Sequence, residues 1–334
     1  MDAVNHQVRL ASRPVGLPGR DDFSFTEEPV RDPEAGEVLV RIRDVSIDPA
    51  MRGWMNDRRS YVPPIELGDV IRAAAAGTVE ATADPRFVPG DAVTGILGVQ
   101  EWATVEARGL LKVDTELAPL PVHLGTLGMP GLTAYFGLLD VGAAKEGDTV
   151  VVSGAAGAVG SIAGQIAKIK GCRAVGIAGG AEKCAYVVEE LGFDAAIDYK
   201  EGPVNARLRE ECPQGIDVYF DNVGGEILDA ALARLARGAR VVICGAISQY
   251  NATGPAHGPA NYMSLLVNRA SMRGFLVFDY ADRYPEALRD LSAWLREGRL
   301  SSRIETVRGI DAFPDALSML FTGGNLGKVV LEVG

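Results

Sequence analysis

Three glycines carry the clearest chemistry in the chain. Gly154, Gly157 and Gly160 stand three apart, after the β-branched run Thr149-Val-Val-Val152 and before a stretch with apolar residues at Val159, Ile162, Ala163 and Ile166. The run has the composition of a buried parallel strand, and the stretch has helical spacing. Strand, glycine turn and helix form the first half of a dinucleotide-binding unit. The turn lets backbone approach a pyrophosphate, and the helix N-terminus meets that anion with N–H donors and the positive end of its dipole. The spacing is Gly-x-x-Gly-x-x-Gly rather than Gly-x-Gly-x-x-Gly, so the flanking elements carry the reading more than the glycines do. Without a ligand the segment would be a tight strand-to-helix turn and nothing more.

The next residues bear on which nucleotide fits. An NAD site usually places Asp or Glu at the end of the second strand, about 20 residues past the turn, to hold the ribose 2′-OH. Here that position reads Ala178-Gly179-Gly180, with Glu182 slightly beyond and Lys183 and Lys200 near enough in sequence to supply positive charge. A 2′-phosphate needs charge-assisted donors and no facing anion, so NADPH is expected rather than NADH. Lys183 could equally be a solvated charge, although the first turn of a helix is an unfavourable place for one.

Metal chemistry is not expected. A catalytic zinc needs about three Cys, His or carboxylate ligands. The chain has three histidines, His6, His123 and His257, far apart and with no cysteine beside them. Its four cysteines, Cys172, Cys184, Cys212 and Cys244, form no Cys-x-x-Cys pair, which is the usage of a reduced cytosolic protein. The opening Met1-Asp-Ala-Val-Asn-His-Gln7 has no signal-peptide pattern, and no apolar run reaches the ~18 residues of a membrane span. A cytoplasmic protein is expected. The net charge of −11 disfavours nucleic acid and anionic membranes as partners, so any phosphate site must be a local positive island.

These residues must be positioned by 334 residues, enough for about two domains. Up to about residue 125 the chain alternates short β-rich runs with Gly and Pro, at residues 37–43, 77–80, 91–94 and 102–105, which suggests a small barrel or sandwich. Val38, Val40 and Ile42 give one buried face. From about Gly128 strands and helices alternate, the mark of a doubly wound parallel sheet. Its further strands are expected at residues 174–178, 195–198, 216–220 and 240–244, with a sixth at 275–278. Helices are expected from Ala181 to Leu191 and around residues 288–295. The tail, residues 326–333, reads as a strand returning to the first domain.

Four segments, Ala155-Ala-Gly-Ala-Val-Gly160, Phe220-Asp-Asn-Val-Gly-Gly225, Cys244-Gly-Ala-Ile-Ser-Gln-Tyr-Asn251 and Gly324-Asn-Leu-Gly-Lys328, resemble the zinc-independent medium-chain dehydrogenase/reductases. Within these, the chain is similar to the prostaglandin reductase, curcumin reductase and alkenal double-bond reductase group, which Ser60-Tyr-Val-Pro-Pro64 and Leu67-Gly-Asp69 also match. The resemblance implies an α/β fold: a GroES-like β-rich domain, residues 1–125 and 302–334, with a Rossmann-type NADPH-binding domain, residues 126–301, inserted. It implies cofactor contacts at Gly157, Ala158, Val159 and Gly160 for the pyrophosphate and at Lys183 and Tyr199 on the 2′-phosphate side. It adds Asn222, Cys244, Gly245, Ala246, Ile247, Ser248, Gln249, Phe275, Val277 and Asn325. It also implies a homodimer. One departure stands out: relatives often have Asp-Pro-Tyr-Met-Arg where this chain has Asp48-Pro-Ala-Met-Arg52, so Ala50 removes a large side chain that helps shape the pocket in relatives.

The activity so implied is NADPH-dependent reduction of carbon–carbon double bonds conjugated to a carbonyl, with small-molecule enones and enals as substrates. Without a metal, the developing enolate needs a hydroxyl, an amide or the cofactor ribose as donor. Ligands in such sheets bind beyond the carboxyl ends of the strands, so the loop Gly245 to Asn251 should border the nicotinamide. The resemblance implies that its Tyr250, six residues past Cys244, lies near the substrate, and Tyr250 is the expected catalytic phenol. Its other roles would be packing on the nicotinamide ribose or capping its loop. Tyr61 and Tyr262 are the other phenols that could meet substrate. A quinone reductase of the same superfamily and a non-catalytic NADPH-binding protein remain as alternatives.

Overall fold

The computed structural model describes residues 3–255 and 258–334; Met1, Asp2 and the histidine His257 lie outside the described residues. The chain divides into two compact units, Met1–Gly125 with Ile304–Gly334, and Thr126–Arg303.

The first unit opens with β1 (Val4–Leu10), β2 (Phe23–Pro29), β3 (Glu37–Ser46), β4 (Ala74–Thr82), β5 (Ala92–Ile96), β6 (Trp102–Glu106) and β7 (Leu110–Lys112). Alternation sets the face of β3: Val38, Val40 and Ile42 are buried while Arg41 and Arg43 reach solvent. Leu39 is buried too, so that strand is covered on both sides over part of its length. β1 and β2 were not expected, and β1 shows why. Two of its inward residues are amides, Asn5 and Gln7, whose side-chain amides donate to Gln100 Oε1 at 3.0 and 2.9 Å. A buried face made of hydrogen-bonded amides leaves no apolar alternation to read.

The second unit contains β8 (Thr149–Ser153), β9 (Arg173–Ala178), β10 (Ala195–Asp198), β11 (Ile216–Asp221), β12 (Leu235–Ile243) and β13 (Ser271–Gly274), in the order β10-β9-β8-β11-β12-β13. Every pairing is parallel. Helices separate the strands, among them Ala158–Ile169 after β8 and Gly225–Leu232 after β11. Val150, Val151, Val152, Tyr219 and Phe220 are fully buried, as both-face coverage demands. The order reverses between β8 and β11, and ligands of such sheets bind at that switch point, outside the carboxyl ends of the strands.

One expected strand is misplaced. The sixth strand is β13, at Ser271–Gly274, and not residues 275–278, where a 3-10 helix begins at Val277. β13 is an edge strand with all four residues exposed, so it carries no apolar signature. The apolar run after it serves packing. Phe275 meets Tyr280 edge-on, with ring centroids 6.4 Å apart, and its ring lies where a Cβ on Gly137 would come within 2.6 Å.

The chain then returns to the first unit with β14 (Ile304–Arg308), the helix Phe313–Thr322 and β15 (Lys328–Glu332). A seven-stranded sheet runs β14-β15-β3-β4-β5-β7, with β6 also on β3. Only β14 and β15 pair in parallel; the remaining pairs are antiparallel.

Candidate functional site

The glycine turn follows β8 directly. Gly154 has φ +61°, a conformation that glycine adopts without strain. A Cβ on Gly160 would sit 2.3 Å from the Gly154 carbonyl oxygen, so the third glycine is dictated by how closely the helix packs on its own turn. Gly157 differs: its Cβ would meet only that same oxygen, at 3.3 Å, and otherwise open space. The helix Ala158–Ile169 has Gly157 as its N-cap and no side chain capping it. The amides of its first turn, including those of Ala158, Val159 and Gly160, have no partner within the helix. An uncapped N-terminus above an unfilled glycine fits a pyrophosphate.

At the ends of β9 and β10 lies a second group of the expected residues. Gly180 has φ +98°, and a Cβ on Gly179 would lie 2.7 Å from the Tyr199 ring, so Tyr199 covers Gly179. Burial, and then the neighbouring Lys200, hold the Lys183 ammonium below its usual range. Two cations facing one region, with Glu182 exposed, suit a dianionic phosphate. Sequence reasoning overlooked Asp198 at the end of β10. Its Oδ1 accepts the Gly180 and Lys200 amides, both at 2.9 Å, so the nearest strand-end carboxylate holds the turn in place.

A third group gathers at the ends of β11 and β12. The Asp221 carbonyl accepts the Cys244 and Gly245 amides at 2.9 and 3.0 Å. The Asn222 carbonyl accepts Ile247 N–H, and the Val223 carbonyl accepts Ser248 N–H and Oγ–H. Gln249 and Tyr250 close a short 3-10 turn in which Tyr250 N–H donates to Ile247 O at 3.3 Å. The Tyr250 hydroxyl accepts the Ala246 amide at 3.3 Å, so this phenol arches over its own loop. Accepting through oxygen is compatible with donating the hydroxyl proton elsewhere. Burial first and then Asp221 push the Cys244 thiol up to about 12, away from the thiolate that a nucleophile needs.

The remaining expected residues lie elsewhere. Phe275 and Val277 follow β13, half-buried. Tyr262, exposed, opens the helix Met263–Asn268, and its neighbour Asn261 is tied to Asp229 through N–H to Oδ1 and Nδ2–H to the carbonyl, both 3.0 Å. In the first unit, Tyr61 accepts Trp54 Nε1–H at 3.1 Å. Asn325 is buried there, its Nδ2 donating to Gly327 O at 3.1 Å. Lys328, also buried, donates to Ile47 O and to Asp48 Oδ1 at 3.0 Å, next to Ala50. Among the described residues, no group of three or more His, Cys, Asp or Glu side chains could hold a metal ion. No helix among them is long and apolar enough to cross a membrane.

Two family models match the chain: the N-terminal domain of oxidoreductases over residues 6–113, and zinc-binding dehydrogenases over residues 158–293. The chain is 41% identical to the NADPH-dependent curcumin reductase of Escherichia coli, covering 98% of this chain and 97% of the relative. It is 38% identical to the NADP(+)-dependent 2-alkenal reductase of Nicotiana tabacum, covering 99% and 98%. The solved structure of CurA from Vibrio vulnificus in complex with NADPH superposes with a TM-score of 0.94 at 43% identity, over 98% of this chain and 99% of that one. With its 3-2-1-4-5-6 parallel sheet and its glycine turn, the chain belongs to the medium-chain dehydrogenase/reductase family of oxidoreductases, in the group of curcumin, 2-alkenal and prostaglandin reductases.

Proposed function

We propose that the protein is an NADPH-dependent reductase of carbon–carbon double bonds conjugated to a ketone or aldehyde. The observation that carries this is the loop after β12, which hangs on the switch-point turn and carries the Tyr250 hydroxyl above its backbone. NADPH, when bound, supplies the hydride. Gly157 to Gly160 hold the pyrophosphate through backbone amides, and Lys183 and Tyr199 take the 2′-phosphate side. Asn222 and residues 244–249 line the nicotinamide side, with Phe275, Val277 and Asn325 as further contacts. Tyr250 donates a hydrogen bond to the substrate carbonyl oxygen as negative charge develops there on hydride addition to the β-carbon, which a phenol, neutral at pH 7, is suited to do. A proton then reaches the α-carbon to leave the saturated carbonyl. Tyr61 and Tyr262 are substrate contacts. The protein works as a homodimer, a second copy covering β13 and the exposed Met263, Leu266, Val267 and Met272.

The test follows NADPH consumption with enones, enals and quinones and identifies the products by mass spectrometry. Saturated ketones or aldehydes support the reading. Allylic alcohols, consumption with quinones alone, or no turnover would sink it. Sedimentation of the purified protein as a monomer would overturn the dimer.

A further inference from the structure

The motif Phe220-Asp-Asn-Val-Gly-Gly225 contains a buried carboxylate to which the reading above gives no role. Asp221 is 1% exposed and Ser153 is fully buried. They follow the paired residues Phe220 and Val152 at the carboxyl ends of β11 and β8, on the two sides of the switch point. Asp221 Oδ1 accepts Ser153 Oγ–H and Tyr219 O–H, each at 2.9 Å, and the Val223 and Gly224 amides at 3.1 and 3.0 Å. Its other oxygen, Oδ2, is buried with no hydrogen-bond partner. All of the donors converge on one atom.

Ser153 completes the link. Its Oγ accepts the Asn222 amide at 2.9 Å, and its carbonyl accepts Asn222 Nδ2–H at 2.7 Å. Ser153 immediately precedes Gly154, where the pyrophosphate turn begins. Asp221 anchors the turn whose carbonyls hold residues 244, 245, 247 and 248. A hydroxyl from one strand and a carboxylate from the next thus join the segment assigned to the pyrophosphate to the segment assigned to the nicotinamide.

We propose that Ser153 and Asp221 are positioning residues: their bond across the switch point fixes the nicotinamide-side loop relative to the glycine turn, and so sets the geometry of hydride transfer. This rests on the reading of residues 244–250 as the nicotinamide side. Neither side chain is required to touch cofactor or substrate. Tyr219 donates to the same oxygen from within β11, the strand that carries Asp221, and its hydroxyl also lies within hydrogen-bonding reach of Ser153. Tyr219→Phe removes this donor and leaves the direct Ser153–Asp221 bond across the switch point in place, so it serves as the comparison.

The experiment compares Ser153→Ala, Ser153→Thr and Tyr219→Phe in the full-length protein. Amide hydrogen exchange without cofactor should speed up at residues 222–225 and 244–250 in Ser153→Ala, stay near the parent in Ser153→Thr, and change little there in Tyr219→Phe. In single turnovers with saturating NADPH, Ser153→Ala should slow hydride transfer at least about tenfold, with NADPH affinity within about threefold, because small misplacements of reacting groups are costly. Tyr219→Phe should lose thermal stability while keeping its hydride-transfer rate within about threefold. Equal slowing by Ser153→Ala and Tyr219→Phe, or parent-like exchange and rate in Ser153→Ala, would overturn the assignment. If Ser153→Ala does not fold, Ser153→Cys replaces it, and the rate should then fall in the order of donor strength from Ser and Thr to Cys; a rate indifferent to that order refutes the proposal. If the parent reduces no enone, the functional reading fails on its own, while the exchange result still decides whether this bond joins the two turns.

Discussion

The nicotinamide and adenosine ends of the proposed cofactor site are built by different means. Around residues 221–250, position is set by buried hydrogen bonds that converge on Asp221 and on the carbonyls of Asn222 and Val223. Around residues 179–200, the working groups are side chains open to solvent: Tyr199 is 44% exposed, and Lys183 is half-buried. Salt screens exposed charges and barely touches buried hydrogen bonds. The first end is therefore suited to fixing geometry and hence rate, and the second to selecting which nucleotide binds.

The largest effect expected is at the turn that both ends share. Gly157→Val should leave a folded chain, because the added carbon meets only the Gly154 oxygen at 3.3 Å, yet should weaken NADPH binding by about a hundredfold or more by filling the approach to the helix N-terminus. Gly160→Val, with its Cβ 2.3 Å from that oxygen, should instead fail in thermal unfolding. Parent-like NADPH affinity in folded Gly157→Val would break the assignment of the turn.

Next comes Tyr250→Phe, which keeps the ring and removes the hydroxyl. Turnover on a good enone should fall about 10–1,000-fold with NADPH affinity nearly unchanged, by analogy with the loss of one oxyanion donor. An unchanged turnover number, with a deuterated cofactor showing hydride transfer to be rate-limiting, would hand the role to the ribose hydroxyl or solvent.

Lys183→Ala should act at the other end. It should raise the Michaelis constant for NADPH far more than for NADH, by about 1.5–3 kcal/mol at most and toward the lower figure because the group is partly exposed. Added salt should shrink the effect. The pH dependence has a definite sign. Burial, then Lys200, lower the Lys183 pKa, so the folded chain releases this proton at a lower pH than the unfolded chain. The cost of carrying the charge is complete below the folded pKa and is relieved as pH rises through it. The preference for NADPH should thus fade on the alkaline side at a lower pH than an ordinary lysine would give, and Lys183→Ala should abolish that fade. Equal effects of the substitution on both cofactors would make the two ends alike in function.

The smallest expected effect is none: activity should survive exhaustive chelation, and elemental analysis should find well under one zinc per chain. Stoichiometric zinc that supports activity would contradict this.

How much of this was legible in the sequence depended on what each segment buries. Strands β8, β9 and β11 lie covered on both faces over most of their length and advertise themselves as apolar runs rich in Val and Ile. β13 could not be read because an exposed edge strand needs no apolar residue, and β1 because two of its inward residues are amides. The glycine turn was legible because glycine spacing records backbone conformation directly. Asp198 and Asp221 were not singled out, since an acid closing a strand looks the same in sequence whether it faces water or holds a turn. For Asp221 a signal was present: an acid after the fully buried Tyr219 and Phe220 cannot be left unpaired. Ser153, at the same depth in the neighbouring strand, supplies part of the answer.

The place of β15 has a consequence for how the protein is made. It lies between β14 and β3 in the middle of the first unit's sheet, yet it is separated from β3 by the whole of the second unit. During synthesis β4 and β6 can pair with β3 early, but the Asp44–Ser46 stretch of its second edge must wait for β15 while residues 126–303 are translated. The parallel-sheet unit is contiguous in sequence and can complete its core first. The β-rich unit can close only when β14 and β15 leave the ribosome and Lys328 buries its ammonium against Ile47 and Asp48. The order of completion is thus the reverse of the order in which the two units begin, and the Asp44–Ser46 stretch of β3 is the strand edge that the nascent chain has to protect in the meantime.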